Sequence, residues 1–329
     1  MTTLLVTFAN VNLFGSCSVG LFDTESHHFC WLDRTGYVDI NSVIRAVRHN
    51  DEVVILYRNS AGSKRLLLLD KNLTVRYSHA DAITSEINDI FSDENEIYAI
   101  CGHRIYLLHI ESHPCRLTLE RLIDTPPGAR TIKFVLREGQ LIYASARQEL
   151  HENRKFAVAV RLVSDCALPV SLAALDSVSE LAVVDGALFV ANASASSLLR
   201  ISRDRLTQVE FPRGYVRGIA AVPSGYFVGT GGWRYTVRKF GKRLHPGWVS
   251  RTDYYASYSS QIHRLDDDLQ VMETLDISHL GREISSLVTV PSWTTPITSL
   301  DTHRAASRRA NYSNELARTL ILAEIEAGK

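Results

Sequence analysis

The chain has 329 residues, and its 36 Lys+Arg against 36 Asp+Glu exclude a global polycation. At 45% hydrophobic and 22% charged it has globular rather than disordered composition, with enough length for a large core. No apolar run approaches the roughly 18 residues of a membrane span, so no membrane association is expected.

The start, Met1-Thr2-Thr3-Leu4-Leu5-Val6, lacks a basic n-region and a small-residue cleavage site, so export is not expected. Five cysteines, at 17, 30, 101, 115 and 166, form no CxxC pair. That usage fits thiols in a reducing compartment better than a disulfide framework or a zinc knuckle. The cytoplasm is therefore the expected location.

In chain order, β-like runs occur at Leu4–Phe8, Val19–Asp23 and Phe29–Leu32, then at Ile44–Val47, Val53–Tyr57, Arg65–Asp70 and Thr74–Ser78. They continue at Ile87–Phe91, Ile97–Ile100, Arg104–Ile110 and Arg116–Leu122. Further hairpins are read at Ile132–Leu136 with Leu141–Ala144, Leu181–Val184 with Leu188–Val190, and Ile219–Val222 with Tyr226–Val228. Ile262–Asp266, Val271–Leu275 and Ile284–Val290 complete the series. Turns such as His49-Asn50-Asp51, Asp185-Gly186 and Ser224-Gly225 supply hairpin chemistry.

The second strands of successive hairpins begin at 53, 97, 141, 188 and 226, at intervals of 44, 44, 47 and 38 residues. That is the period of a four-stranded propeller blade, with strands a to d running outward. The first run lacks a preceding a strand and the last lacks a following b strand. Joined, the two ends make one shared blade that hides two sheet edges. The reading is an all-β, six-bladed β-propeller over residues 1–290, with a long flap insertion at 231–260. Residues 291–329 form a C-terminal extension with a helix about 313–327, started by Ser313 and stopped by Gly328. That helix either packs across a propeller face or contacts another protein or a second copy. No helical periodicity is found before about residue 303, which excludes a doubly wound α/β sheet. Gly15-Ser16-Cys17-Ser18-Val19-Gly20 lacks the Gly-Lys-Ser/Thr ending of a phosphate loop.

Gly186-Ala187-Leu188-Phe189-Val190-Ala191-Asn192-Ala193 followed by Ser197-Leu198-Leu199-Arg200-Ile201 resembles the blades of bacterial repeat propellers related to the NHL and gluconolactonase-like groups. Arg217-Gly218-Ile219-Ala220 with Gly225-Tyr226-Phe227-Val228-Gly229 is similar to a blade of a related bacterial propeller family of unknown function. The resemblance covers about two blades, residues 178–232, and implies the fold. For the gluconolactonase-like enzymes it further implies a divalent metal held by Glu, Asn and Asp near the channel mouth. This chain departs from that pattern, since Ala193-Ser194 follows Asn192. No metal ligand set can be carried over.

The b–c and d–a loops of a propeller open on one face, around a channel lined by the a strands, and that mouth is the expected ligand site. A glutamate precedes the a strand in three blades: Glu86, Glu180 and Glu283. In the other three a basic residue follows an apolar one: Arg45, Lys133 and Arg217. Because side chains alternate along a strand, these six are expected to form a ring in which acidic and basic blades alternate. One reading is a salt-bridged ring tying the blades together. The other is a pocket for an anionic or sugar-like metabolite, with Arg45, Lys133 and Arg217 as anchors and a glutamate as general base or metal ligand.

The flap carries seven aromatic residues and six basic residues against one acid. Trp233, Arg234 and Tyr235 are its expected ligand contacts, unless the flap packs on its blade as an extra hairpin. Nucleic acid is not an expected partner, because the rest of the chain offers no basic surface to match.

His151, with Glu149 or Glu152, reads as a solvated hairpin tip or, on weaker grounds, as metal ligands or an acid–base pair, and Cys101 as a buried small hydrophobe rather than a nucleophile. No GxSxG elbow occurs. The functional expectation is binding of a small polar ligand at the mouth, with acid–base processing as its extension. Two alternatives stand beside it: a non-catalytic protein-interaction propeller and a metal-dependent lactonase-like hydrolase.

Overall fold

In the computed structural model the described residues are 2–9, 18–32, 40–79, 82–93, 96–102, 104–112, 115–124, 130–137, 140–150, 156–164, 175, 178–192, 195–202, 205–211, 215–231, 260–277, 280 and 283–290. The expected flap and C-terminal helix lie outside them.

Every run read from the sequence is a strand. The first sheet contains β1 (Thr3–Phe8), β2 (Val19–Asp23) and β3 (Phe29–Trp31). The second is β4 (Ser42–His49), β5 (Glu52–Arg58), β6 (Lys64–Leu69) and β7 (Val75–His79). A single helical turn, α1 (Ala82–Glu86), leads into β8 (Ile87–Ser92), which is followed by β9 (Ile97–Cys101), β10 (Arg104–Ser112) and β11 (Cys115–Asp124). Five residues cannot display an amphipathic period, so α1 was not foreseen.

The next sheet holds β12 (Arg130–Arg137), β13 (Gln140–Leu150) and β14 (Phe156–Ser164). Then come β15 (Val178–Val184), β16 (Ala187–Asn192), β17 (Ser197–Ile201) and β18 (Leu206–Glu210). The last full sheet is β19 (Tyr215–Val222), β20 (Gly225–Gly231), β21 (Gln261–Leu265) and β22 (Val271–Asp276). Finally β23 (Ile284–Val290) returns to pair antiparallel with β1, so that strands distant in sequence share one sheet, as expected.

Among the described residues five sheets are complete four-stranded blades, and β12-β13-β14 is a sheet of three strands. This corrects the expectation of six four-stranded blades. Glu149, expected at a hairpin tip, instead lies in β13, whose residues 147–150 pair with β14. Innermost strands neighbour one another in a closed cycle, β23, β4, β8, β12, β15, β19 and back to β23. β4 and β15 therefore stand on opposite sides of the ring.

The core lies between sheets. One cluster joins Leu5, Val19 and Val288 to Val43, Ile55 and Leu69 across the first two sheets. Another joins Phe189, Ala191 and Leu198 to Val216, Tyr226 and Leu265. The alternation of the strands sends one set of side chains to each neighbouring sheet.

Outer turns also contribute. In Asp70-Lys71-Asn72-Leu73, Asp70 Oδ1 accepts from the Asn72 and Thr74 amides. In Asp266-Asp267-Asp268-Leu269, Asp266 Oδ1 accepts from the Asp268 and Gln270 amides. Both turns end on a leucine with positive φ, Leu73 at 59° and Leu269 at 64°, and both leucines are buried in inter-sheet clusters. Burial of each leucine offsets a backbone conformation that a branched side chain rarely takes. No helix among the described residues is long and apolar enough to cross a membrane.

Candidate functional site

Each innermost strand breaks register with its neighbour once. The breaks fall between Val43 and Arg45, Ile87 and Asp89, Thr131 and Lys133, Val178 and Glu180, and Arg217 and Ile219. β23 breaks between Ile284 and Ser286 against β1. A bulge sets two residues against one and re-aims the side chain that follows. The residues after the first four bulges are Arg45, Asp89, Lys133 and Glu180, and these meet.

Arg45 Nη1 lies 2.8 Å from Glu180 Oε1, and Arg45 Nε is 3.3 Å from Asp89 Oδ1. Lys133 Nζ donates to Asp89 Oδ2. The Gly218 amide, on the bulge of β19, donates to Glu180 Oε2. Gly218 has φ +73°, and a Cβ there would lie 2.6 Å from the Leu287 nitrogen of the adjoining strand, so only glycine fits. Two further members join separately: Arg217 Nη1 is 2.9 Å from Glu283 Oε1.

Of the expected residues, Arg45 contacts Glu180 directly, Lys133 joins them through Asp89, and Arg217 pairs separately with Glu283. Glu86 is a correction. It ends α1, is exposed, and none of the ion pairs among the described residues includes it. Asp89, three residues later, takes the acidic position of that sheet. Its signal was present in the repeat, because Arg45, Asp89 and Lys133 are spaced by 44 and 44 residues. Trp233, Arg234 and Tyr235 lie outside the described residues, as does His151.

The charges differ in their access to water. The side chains of Asp89, Glu180 and Glu283 are 9%, 10% and 2% exposed, and Arg45 is 8% exposed, whereas Lys133 and Arg217 reach 18% and 23%. The three carboxylates and Arg45 are nearly buried, and the two partly exposed members are cations.

Burial would raise the Asp89 carboxyl, but Lys133 and Arg45 outweigh it and hold the group below its ordinary value. Burial would lower the Arg45 guanidinium, but Glu180 and Asp89 hold it above its usual range. Lys133 is pushed down to about 8, first by burial and then by the positive charge of Arg45, with Arg217 adding to the effect and Asp89 opposing it.

The divalent metal that the gluconolactonase-like resemblance implies does not fit this donor set. Asp89 and Glu180 each bind a cationic side chain, and a metal ion would have to displace Arg45 from both. Among the described residues no group of three or more His, Cys, Asp or Glu could hold a metal ion. Cys101, expected to be inert, is buried, and burial followed by the Glu86 charge pushes its thiol up to about 11.

No protein-family model matches the chain, and no curated protein matches it in sequence. Solved structures do match. TolB from Acinetobacter baumannii superposes with a TM-score of 0.53 at 11% identity, over 88% of this chain and 67% of that one. A candidate 6-phosphogluconolactonase from Bacteroides fragilis gives 0.50 at 12% identity, over 88% of this chain and 98% of that one. A protein of unknown function from Bacteroides caccae gives 0.49 at 14% identity, over 88% and 99%. At such identities the first two likenesses bear on fold alone, and with the ring of sheets they make this chain a β-propeller.

Proposed function

We propose that the protein binds a small anionic ligand at the channel mouth, held by Lys133 and Arg217, in a ring whose sixth blade is the sheet Arg130–Ser164. The observation that carries this reading is a difference in exposure: Lys133 and Arg217 are partly exposed, whereas Arg45, Asp89, Glu180 and Glu283 are nearly buried. A lysine whose charge is disfavoured by burial and by neighbouring cations gains from an anion placed against it.

The reading is binding without acid–base chemistry by the ring carboxylates. Asp89 is shared by two cations, and Glu180 accepts from Arg45 and from the Gly218 amide. These are the surroundings of structural counter-ions, and Asp89, held below its ordinary value, is poorly suited to take up a proton as a general base. The lactonase-like reading, whether drawn from resemblance or from the Bacteroides fragilis protein, therefore finds no support in these residues.

The test is calorimetric titration with inorganic phosphate at constant ionic strength. Saturable binding that is lost in both Lys133→Met and Arg217→Met is the expected result. Absence of binding by the folded wild type, or binding that persists in both variants, overturns the proposal.

A further inference from the structure

The mouth ends of the sheets offer a second place for an anion, independent of Lys133 and Arg217. We propose that Arg58, Lys64 and Asn88 form an oxyanion site on the rim of the mouth, between the sheets β4–β7 and β8–β11, that takes a sulfate or phosphate group.

Arg58 ends β5 and Lys64 begins β6, and the two stand directly opposite each other in the β5–β6 ladder. On its other side Arg58 pairs with Ser42, at the end of β4 that carries the bulge before Arg45, so the pair lies at the mouth end of the sheet. Opposed residues of an antiparallel ladder project to one face, and like charges placed there repel. The connection between the strands holds them in place. Asn59 Oδ1 accepts from the Ser63 amide at 2.8 Å, the Gly62 amide donates to the Asn59 carbonyl at 2.9 Å, and Arg58 Nη1 donates to the Gly62 carbonyl at 3.3 Å. In the other described sheets the pair at this end, such as Asn192 with Ser197 or Thr230 with Gln261, carries at most one charge.

The bulge of β8 brings Asn88 to this pair. The register of β8 against β9 passes from Ile87 to Asp89, so Asn88 is the inserted residue and is exposed, while Asp89 turns to Arg45 and Lys133. Lys64 Nζ donates to Asn88 Oδ1 at 2.9 Å. An ammonium only donates, so the amide meets it with its oxygen and keeps its Nδ2 hydrogens to offer elsewhere. The three side chains thus present donors alone. No carboxylate among the described residues forms an ion pair with Arg58 or Lys64, and Glu86, two residues before Asn88, pairs with neither. Burial, and then the charge of Arg58, lowers the Lys64 amine from its ordinary value, with Cys101 opposing. An oxyanion set among these groups relieves the repulsion and accepts charge-assisted bonds from both cations.

The test is thermal melting of the full chain in millimolar sulfate, with ionic strength held constant by chloride. The wild-type midpoint is expected to rise saturably by about 2 °C. Arg58→Gln and Lys64→Gln should each melt no lower than the wild type without sulfate, because the like-charge opposition is gone, and each should lose at least about half of the sulfate rise. General solvent effects of sulfate are common to all the proteins and cancel in the comparison. Lys133→Met reads the channel site separately.

A rise kept by Lys133→Met and lost from the two rim variants supports the rim site. A full rise in both rim variants overturns it, and the channel site then stands if Lys133→Met abolishes that rise. No rise in the wild type overturns both. Glycerol 3-phosphate separates the sources of the group: a rise lost in the same two variants shows that the site admits an ester, and a rise with sulfate alone confines it to the free oxyanion.

Discussion

Arg45 and Glu180 form an ion pair, Nη1 to Oε1 at 2.8 Å, between β4 and β15, two strands on opposite sides of the ring. Arg45 also holds Asp89 of the adjacent sheet. One guanidinium therefore links three sheets through the centre of the ring.

Breaking this link should cost more than an ordinary surface contact. In Arg45→Leu, Glu180 keeps only the Gly218 amide among its charge-stabilising partners described here, and a buried charge stripped of its counter-ion typically costs about 3–5 kcal/mol. Urea denaturation should show a loss of that size. Arg45→Leu combined with Glu180→Gln removes the orphaned charge and should regain part of it. A single variant as stable as the wild type would show that the pair contributes nothing net.

Gly218 is a tight point of the site. A methyl group there meets the Leu287 nitrogen at 2.6 Å and forces an alanine to φ +73°. The same shift would move the amide that serves Glu180. Gly218→Ala should destabilise the fold by more than about 1 kcal/mol, read as a lower midpoint in thermal melting. Gly62, also at positive φ but with open space around it, should tolerate alanine better.

His263 supplies a pH dependence. It is buried between Thr230 and Thr274, whose hydroxyls lie 3.1 and 2.9 Å from its ring nitrogens, and it packs on Phe211. Burial pushes its pKa down from 6.5 to about 4. With the folded value depressed, the unfolded chain takes up the proton first as pH falls. The contribution is complete above about pH 6.5 and is lost between there and about pH 4. The full difference corresponds to about 3 kcal/mol. Stability measured across that window should fall in the wild type and fall less in His263→Gln.

Lys133 sets the opposite limit on anion binding. Its amine titrates near 8, lowered by burial and by Arg45 and Arg217 against the pull of Asp89. Sulfate stays dianionic throughout, so its affinity should decline as pH rises through and above 8, where the free protein gives up the Lys133 proton. Lys133→Arg keeps the charge at all accessible pH values and should flatten the profile. An unchanged slope in that variant would place the titrating group elsewhere.

The sequence by itself determined most of the strands, their period and the pairing of β1 with β23, although β14 and β18 were not read and one sheet has three strands rather than four. All of these rest on local alternation, turn chemistry and period, which are properties of neighbouring residues. It also named five of the six residues that form the charged network. It missed Asp89 because Glu86 was matched to the strand's start rather than to the repeat, and the 44-residue spacing that equates Asp89 with Arg45 and Lys133 was left unused. Only the tertiary structure could decide the partners. A bulge in each innermost strand changes which side chain faces the channel, and the distance from β4 to β15 is fixed by closure of the ring. Burial then separates carboxylates from accessible cations, because desolvation depends on what the other sheets place around each group, and no stretch of sequence carries that information alone.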